Sequence, residues 1–406
     1  NAVPQNTATP TISNLDDTSF LYAEYRQYEI TANVTDEDGF AEIDYLELTL
    51  TSDDQFTEYW TVRYDEDTNL FTEQSDPSNY ITLDTGSSSA IESGNNIIRF
   101  VPFSVNWNHP DVVNTDLKSE VYDANPSSDL DYYEVNWDIE TRLDLTSGPT
   151  LDDGSGTLDR GDVDGSMTAS GIVTYRGSAL IPSASDIDIW ISSSEYGTQI
   201  GPWEATNYED VTGTFSATVY ADDLVGLDTF TFKGVSEGAG AGGTDQFSSS
   251  ETTPYISDRI QVQSYSTDDS RINVNSSATL HAVLYYDYDN SFVTDGTVTI
   301  NGLSATYSGS NGIWDFNDEQ STTQLVTYDT LVYSGVVHGI TVEDQNGQSV
   351  NQIWDYVKVV SYSAIDARVD VNSNAIIDVT LVYEYDGSFV TLGTVTINGV
   401  SATHQG

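Results

Sequence analysis

The sequence predicts an all-β chain of tandem immunoglobulin-like β-sandwich domains, strung like beads. Three observations predict it. The chain repeats itself with a period of 97 residues, its patterned stretches alternate apolar and polar residues with period two, and no stretch carries the spacing of an amphipathic helix.

The first element is a larger sandwich over residues 1–147. Its strands are read in "YEITANVTDEDGFAEIDYLELTLT", "EYWTVRYDEDTNLF", "NNIIRFVPFSV" and "DYYEVNWDIETRLDL". In the last of these Tyr133, Val135, Trp137, Ile139, Thr141, Leu143 and Leu145 share one phase, the mark of a half-buried strand. Residues 148–165, "PTLDDGSGTLDRGDVDG" with Gly148 before it, read as an acidic, Gly-rich linker. A second sandwich follows over 166–250, with strands in "ASGIVTYRG", "SDIDIWIS", "GTFSATVYADD" and "LDTFTFKGV". The stretch "SEGAGAGGTDQFSSSETTP" (236–254) reads as a flexible joint or loop.

The third element, 254–352, is a full repeat unit, and the fourth, 353–406, is its second copy. Residues 264–309 and 361–406 share 28 identities over 46 positions, including "GTVTING" at 296–302 and 393–399. Ala278, Leu280, Ala282, Leu284, Tyr286 and Tyr288 line one strand face, and Asn-Gly closes "TVTING" as a hairpin turn. About seven short strands per period describe a sandwich, without the Cys…Trp…Cys pattern of true immunoglobulin domains. The second copy reaches the residue equivalent to Gly309, before the counterpart of "GIWDF", so it is incomplete as a sandwich. Two readings stand: the polypeptide continues, or another subunit supplies the strands.

Composition bounds the partners. The 406 residues hold 65 Asp and Glu against 12 Lys and Arg, a net charge of −53. Such a field repels nucleic acid and anionic membrane surfaces and favours divalent cations or a salty solvent. Salt at 1 M screens charge within about 3 Å, so this surface suits sea water or brine. The 26 Tyr, 13 Phe and 7 Trp supply enough aromatic mass for packed cores. Cysteine is absent, which removes disulfides and thiolate sites. No apolar run reaches the ~18 residues that span a bilayer. The sequence begins at Asn1, which reads as a start left after signal-peptide removal or as a fragment boundary.

Hard cations need several closely spaced oxygens. Asp36, Asp38, Glu42 and Asp44 surround a Gly turn, and Asp152, Asp153, Asp159, Asp162 and Asp164 crowd the linker. Each set reads either as a weak site for Ca2+ or Mg2+ or as a solvated turn. "YDEDTN" (64–69) opens like a calcium loop but has Leu70 where that loop requires Gly, and reads as a turn. Asn33 and Asn275 head glycosylation sequons, with Asn33 on the outward phase of its strand. The four His (109, 281, 338 and 404) are scattered, and His281 is Asp378 in the other copy, so no shared catalytic or zinc role is expected. No G-x-S-x-G, H-E-x-x-H or P-loop occurs. The chain is therefore expected not to be an enzyme. Trp137 and Trp190 read as core, while Trp107 and Trp203 sit in loops and could meet a ligand or another domain.

The 255–353 unit, with "YISDRIQV" echoed by "IWDYVKVV", and the "ISNLDDTSFLYAEY…VTDEDGFAEIDYLEL" opening resemble the tandem Ig-like repeats of large archaeal and bacterial cell-surface proteins. That resemblance implies an extracellular structural protein, an S-layer or related lattice subunit, contacting copies of itself. A glycan-binding adhesin stalk and a filament subunit closed by strand donation are the alternatives.

Overall fold

A computed structural model describes residues 2–15, 19–93, 96–125, 127–152, 160–162, 165–195, 198–220, 224–334 and 347–405. Among them the chain is β throughout, with one short 3-10 turn at Phe40–Glu42 and no α-helix. Among the described residues no helix is long and apolar enough to cross a membrane. The chain divides into two compact units, one of 1–152, 167–219 and 229–254 and one of 153–166, 220–228 and 255–406.

The first unit contains two sandwiches. In the first, Gln5–Ser13, Tyr28–Thr35, Asn96–Val105 and Ile81–Leu83 form one sheet in that order, with Ser89–Ser93 also on Asn96–Val105. The facing sheet runs Phe20–Tyr22, Ser128–Glu140, Val112–Asp123, Ile43–Thr51, Glu58–Asp65 and Leu70–Ser75. Alternation decides what is buried. Tyr28, Ile30, Ala32 and Val34 point inward from one strand, and Trp60, Val62 and Tyr64 from another. The Trp60 and Phe103 rings meet at 5.3 Å across the core. Trp137 is also core, as its phase predicts.

The second sandwich starts with Leu143–Asp152, which pairs with Ser166–Tyr175. Its other sheet places Ile187–Glu195 antiparallel to both Thr198–Glu204 and Gly226–Ser236. Phe215 and Phe232, 6.1 Å apart, meet between the layers. Apart from Gly165, the described part of the expected 148–165 linker is thus strand. Residues 148–152 belong to Leu143–Asp152, and Arg160–Asp162 pairs in parallel with Ile256–Asp258. Gly, Pro and Asp there are weak strand formers, but partner strands supply the ladder that local propensity does not.

In the second unit, one sheet orders Ile260–Thr267, Ser277–Tyr286, Ile313–Glu319, Leu303–Tyr307, Thr297–Ile300 and Leu331–Ser334. The opposing one orders Arg271–Asn273, Val350–Asp355 and Gln324–Tyr328. Trp314, Phe316, Tyr328 and Trp354 fill the space between them. The boundary expected at 352/353 falls after Asp355 instead, because Val350–Asp355 completes the preceding sandwich.

The second copy keeps the fold of the first as far as it goes. Val357–Ala364 pairs with Ile377–Tyr383 in the register of Ile260–Thr267 with Ser277–Tyr286, each with one register shift at the same place. Val262 is fully buried, whereas its counterpart Val359 is 58% exposed. In the first copy Ile313–Glu319 extends that sheet beside Ser277–Tyr286, and the sheet of Arg271–Asn273, Val350–Asp355 and Gln324–Tyr328 faces it.

Candidate functional site

The acidic loops act locally. Asp36 is buried, its Oδ1 accepting from the Asp38 amide at 2.7 Å and its carbonyl from the Gly39 amide at 3.2 Å. Asp38 accepts from the Ala2 amide at 2.7 Å. Glu42 ends the 3-10 turn, and its carbonyl accepts from the Ala124 amide, as that of exposed Asp44 does from the Glu66 amide. Asp65 caps the Thr68 amide and hydroxyl, closing the "YDEDTN" turn. Asp152 pairs with Thr168 at a strand end, and the Asp162 carbonyl accepts from the Gly165 amide. Asp153, Asp159 and Asp164 lie outside the described residues, as does His338. Among the described residues no group of three or more His, Asp or Glu is gathered closely enough to hold a metal ion.

Asn275 is exposed at a tight turn with φ 59°. Asn33 is half-buried in a strand paired on both sides, and its side-chain oxygen is buried. Trp107 is no exposed platform. It is 6% exposed, stacks on Tyr175 at 5.7 Å and donates Nε1–H to the Asp186 carbonyl at 2.9 Å, joining the two sandwiches of the first unit. Trp203 lies 6.4 Å from Phe230.

What recurs is a joint. Three strands end on a buried acid, Glu140, Asp258 and Asp355, and each end pairs in parallel with a short strand: Phe20–Tyr22, Arg160–Asp162 and Arg271–Asn273. In all three, an amide one residue past the end of the second long strand beyond the acid returns to the chain just after the acid. Arg176 donates to the Arg142 carbonyl, Asp287 to that of Arg259, and Glu384 to that of Tyr356, at 2.9–3.0 Å.

The acid caps the backbone just beyond it. Asp258 Oδ1 accepts from the Arg259 and Tyr288 amides at 2.8 and 2.9 Å, and Asp355 Oδ1 from the Tyr356 and Tyr385 amides at 2.8 and 3.0 Å. An arginine closes each of these two joints. Arg160 lies 3.5 Å from Asp258 Oδ2, 2.5 Å from Asp289 and 3.3 Å from the Ser291 hydroxyl, with its guanidinium 4.6 Å over the Tyr286 ring. Arg271 lies 3.6 Å from Asp355 Oδ2, 2.5 Å from Asp386 and 3.5 Å from the Ser388 hydroxyl, and 4.2 Å over Tyr383. At the first joint the cation comes from the downstream side: Arg176 reaches Glu140 at 2.8 Å and Asp111 at 3.1 Å.

Protonation follows this geometry. Burial pushes Glu140 up to about 7, Asp111 adds to the push, and the Arg142 amide and Arg176 oppose it. Burial also raises Asp258, against the Tyr288 and Arg259 amides and Arg160. At Asp289 burial is outweighed by the Ser291 hydroxyl and amide and by Arg160, which hold it at about 2. Arg271, then Ser388, lowers Asp386.

Sequence reasoning did not single out Arg160, Arg271, Asp258 or Asp355. The available signal was the pairing of Arg271 with Arg368 across the repeat, in a chain with few basic residues, together with the repeated Asp-x-Ser at Asp289 and Asp386.

No protein-family model and no curated protein matches the chain. Among solved structures it is similar to the Escherichia coli adhesin FdeC, at 12% identity over 76% of this chain and 96% of that one, with a TM-score of 0.31. It is also similar to an ICAM-5 D1–D4 ectodomain fragment (10% identity, 94% and 96% covered, TM-score 0.32). A third is the three N-terminal domains of the bacteriophage RB49 outer capsid protein Hoc (12%, 86% and 97%, TM-score 0.30).

Proposed function

We propose that this chain is a structural part of a cell-surface protein, an S-layer or related extracellular lattice subunit that contacts copies of itself and catalyses nothing. The observation that carries the reading is the repeated joint. A buried acid, a parallel strand end and a returning amide recur wherever one sandwich gives way to the next chain segment, so the architecture invests in how modules are connected. The −53 charge supports a salty exterior, where Ca2+ or Mg2+ held loosely by surface carboxylates offsets repulsion between neighbouring copies.

The test is cryo-tomography of the source cells with an antibody to the chain, alongside protease shaving of intact cells. A labelled, ordered surface coat lost on shaving is expected. Label confined to the cell interior, or to isolated particles outside it, would refute the reading.

A further inference from the structure

We propose that Arg160 and Arg271 are positioning residues that latch an acid-ended strand onto the turn beyond it. At the second of these joints the latch fixes the orientation of residues 357–406 on the 260–355 sandwich. This rests on the structural reading above and adds to it a specific atomic device.

The acceptor half is copied by the repeat: Asp258, Tyr286, Asp289 and Ser291 stand 97 residues before Asp355, Tyr383, Asp386 and Ser388. The two donors are not repeat copies of each other. Arg160 comes from "LDRGD" and Arg271 from "DSRIN", 111 residues apart, yet each reaches the same four partners with distances matching within about 0.4 Å. Two unlike local sequences delivering one guanidinium to one set of atoms argues for the contact itself.

The physics agrees. Asp355 is 2% exposed and Asp258 is fully buried, and their Oδ2 atoms have no hydrogen-bond partner among the described residues. The arginine is the cation nearest each, so losing it leaves a buried carboxylate uncompensated. Its planar fork also spans two carboxylates and a hydroxyl at once, which a lysine ammonium does not.

The experiment uses the full chain, whose lack of cysteine permits labelling at Ser321→Cys and Thr391→Cys, both exposed positions. Pulsed electron–electron resonance between spin labels should give one narrow distance distribution. Arg271→Gln should broaden it at least twofold and speed exchange of the Tyr385 amide at least tenfold, while Leu280 and Phe316 amides stay protected. Arg271→Lys should fall between. Asp386→Asn, on an exposed turn and tolerant of folding, should broaden the distribution while leaving the Tyr385 amide protected by Asp355. Unchanged widths in both Arg271→Gln and Asp386→Asn, with native circular dichroism, would overturn the latch. Neither result bears on whether the protein coats a cell.

Discussion

Trp107 offers the sharpest test of how the first two sandwiches are held. Its indole is 6% exposed, stacks on Tyr175 at an interplanar angle of 13°, and donates to the Asp186 carbonyl. Tyr175 in turn donates its hydroxyl to the Ala23 carbonyl at 2.5 Å and lies 4.9 Å from Tyr22, so the ring is the centre of an aromatic cluster drawn from both sandwiches. Trp107→Ala removes the packed ring and opens a cavity, worth about 3–5 kcal/mol for a buried aromatic. For a unit of this size each kcal/mol moves the midpoint by about 2–4 °C, which predicts a fall of roughly 6–20 °C. Trp107→Phe keeps most of the ring and loses the indole hydrogen bond, at a cost of about 1 kcal/mol. Calorimetry of the full chain should show the first unit's transition moving down and, in Trp107→Ala, splitting as the sandwiches uncouple. Phe56→Ala, at a ring 88% exposed, is the control. If Trp107→Ala melts with the control, Trp107 does not hold the two sandwiches together.

Glu140 should make stability pH-dependent. Its folded-state value near 7 lies above the ordinary 4.5, so the protonated folded form is favoured, and stability present below about 4.5 is lost as pH rises towards 7. After allowing for solvent screening this is about 1–2 kcal/mol. Urea midpoints at pH 5 and pH 8 should differ less in Glu140→Gln than in the parent, and equal differences would count against the assignment. Asp289 runs the other way: held at about 2, it stabilises above the ordinary carboxylate range, and that contribution disappears as pH falls through 2. Asp289→Asn should therefore flatten the acid limb of the unfolding curve. Gly213 and Gly312 both have φ 66°, and a Cβ at either would run into a backbone carbonyl, of Val173 or Leu284. Alanine at each should cost at least about 2 kcal/mol, against about 1 at Gly302, where φ is also positive but nothing lies within 4 Å. Equal chemical-denaturation losses at all three sites would remove the steric part of that argument. Chelation at constant ionic strength should lower assembly if divalent cations bridge copies; unchanged assembly assigns the acids to solvation alone.

The sequence alone determined the class of the strands that alternate cleanly, because burial of one face imposes period two and that signature survives without any partner. Tyr28–Thr35, Ser277–Tyr286 and the Asn-Gly turns were legible for this reason, and so was the copied module. It could not assign the strands at module ends. Glu251–Asp258 and Val350–Asp355 end on partners far back in the chain, Arg160–Asp162 and Arg271–Asn273, and composition is silent on partnership. It likewise favoured acids clustered in sequence over those brought together in space. Asp258 and Asp289 are 31 residues apart and meet at one guanidinium from residue 160. A local pattern reports what each residue wants from solvent, whereas pairing across the sheets decides which unlike charges are forced to share a place.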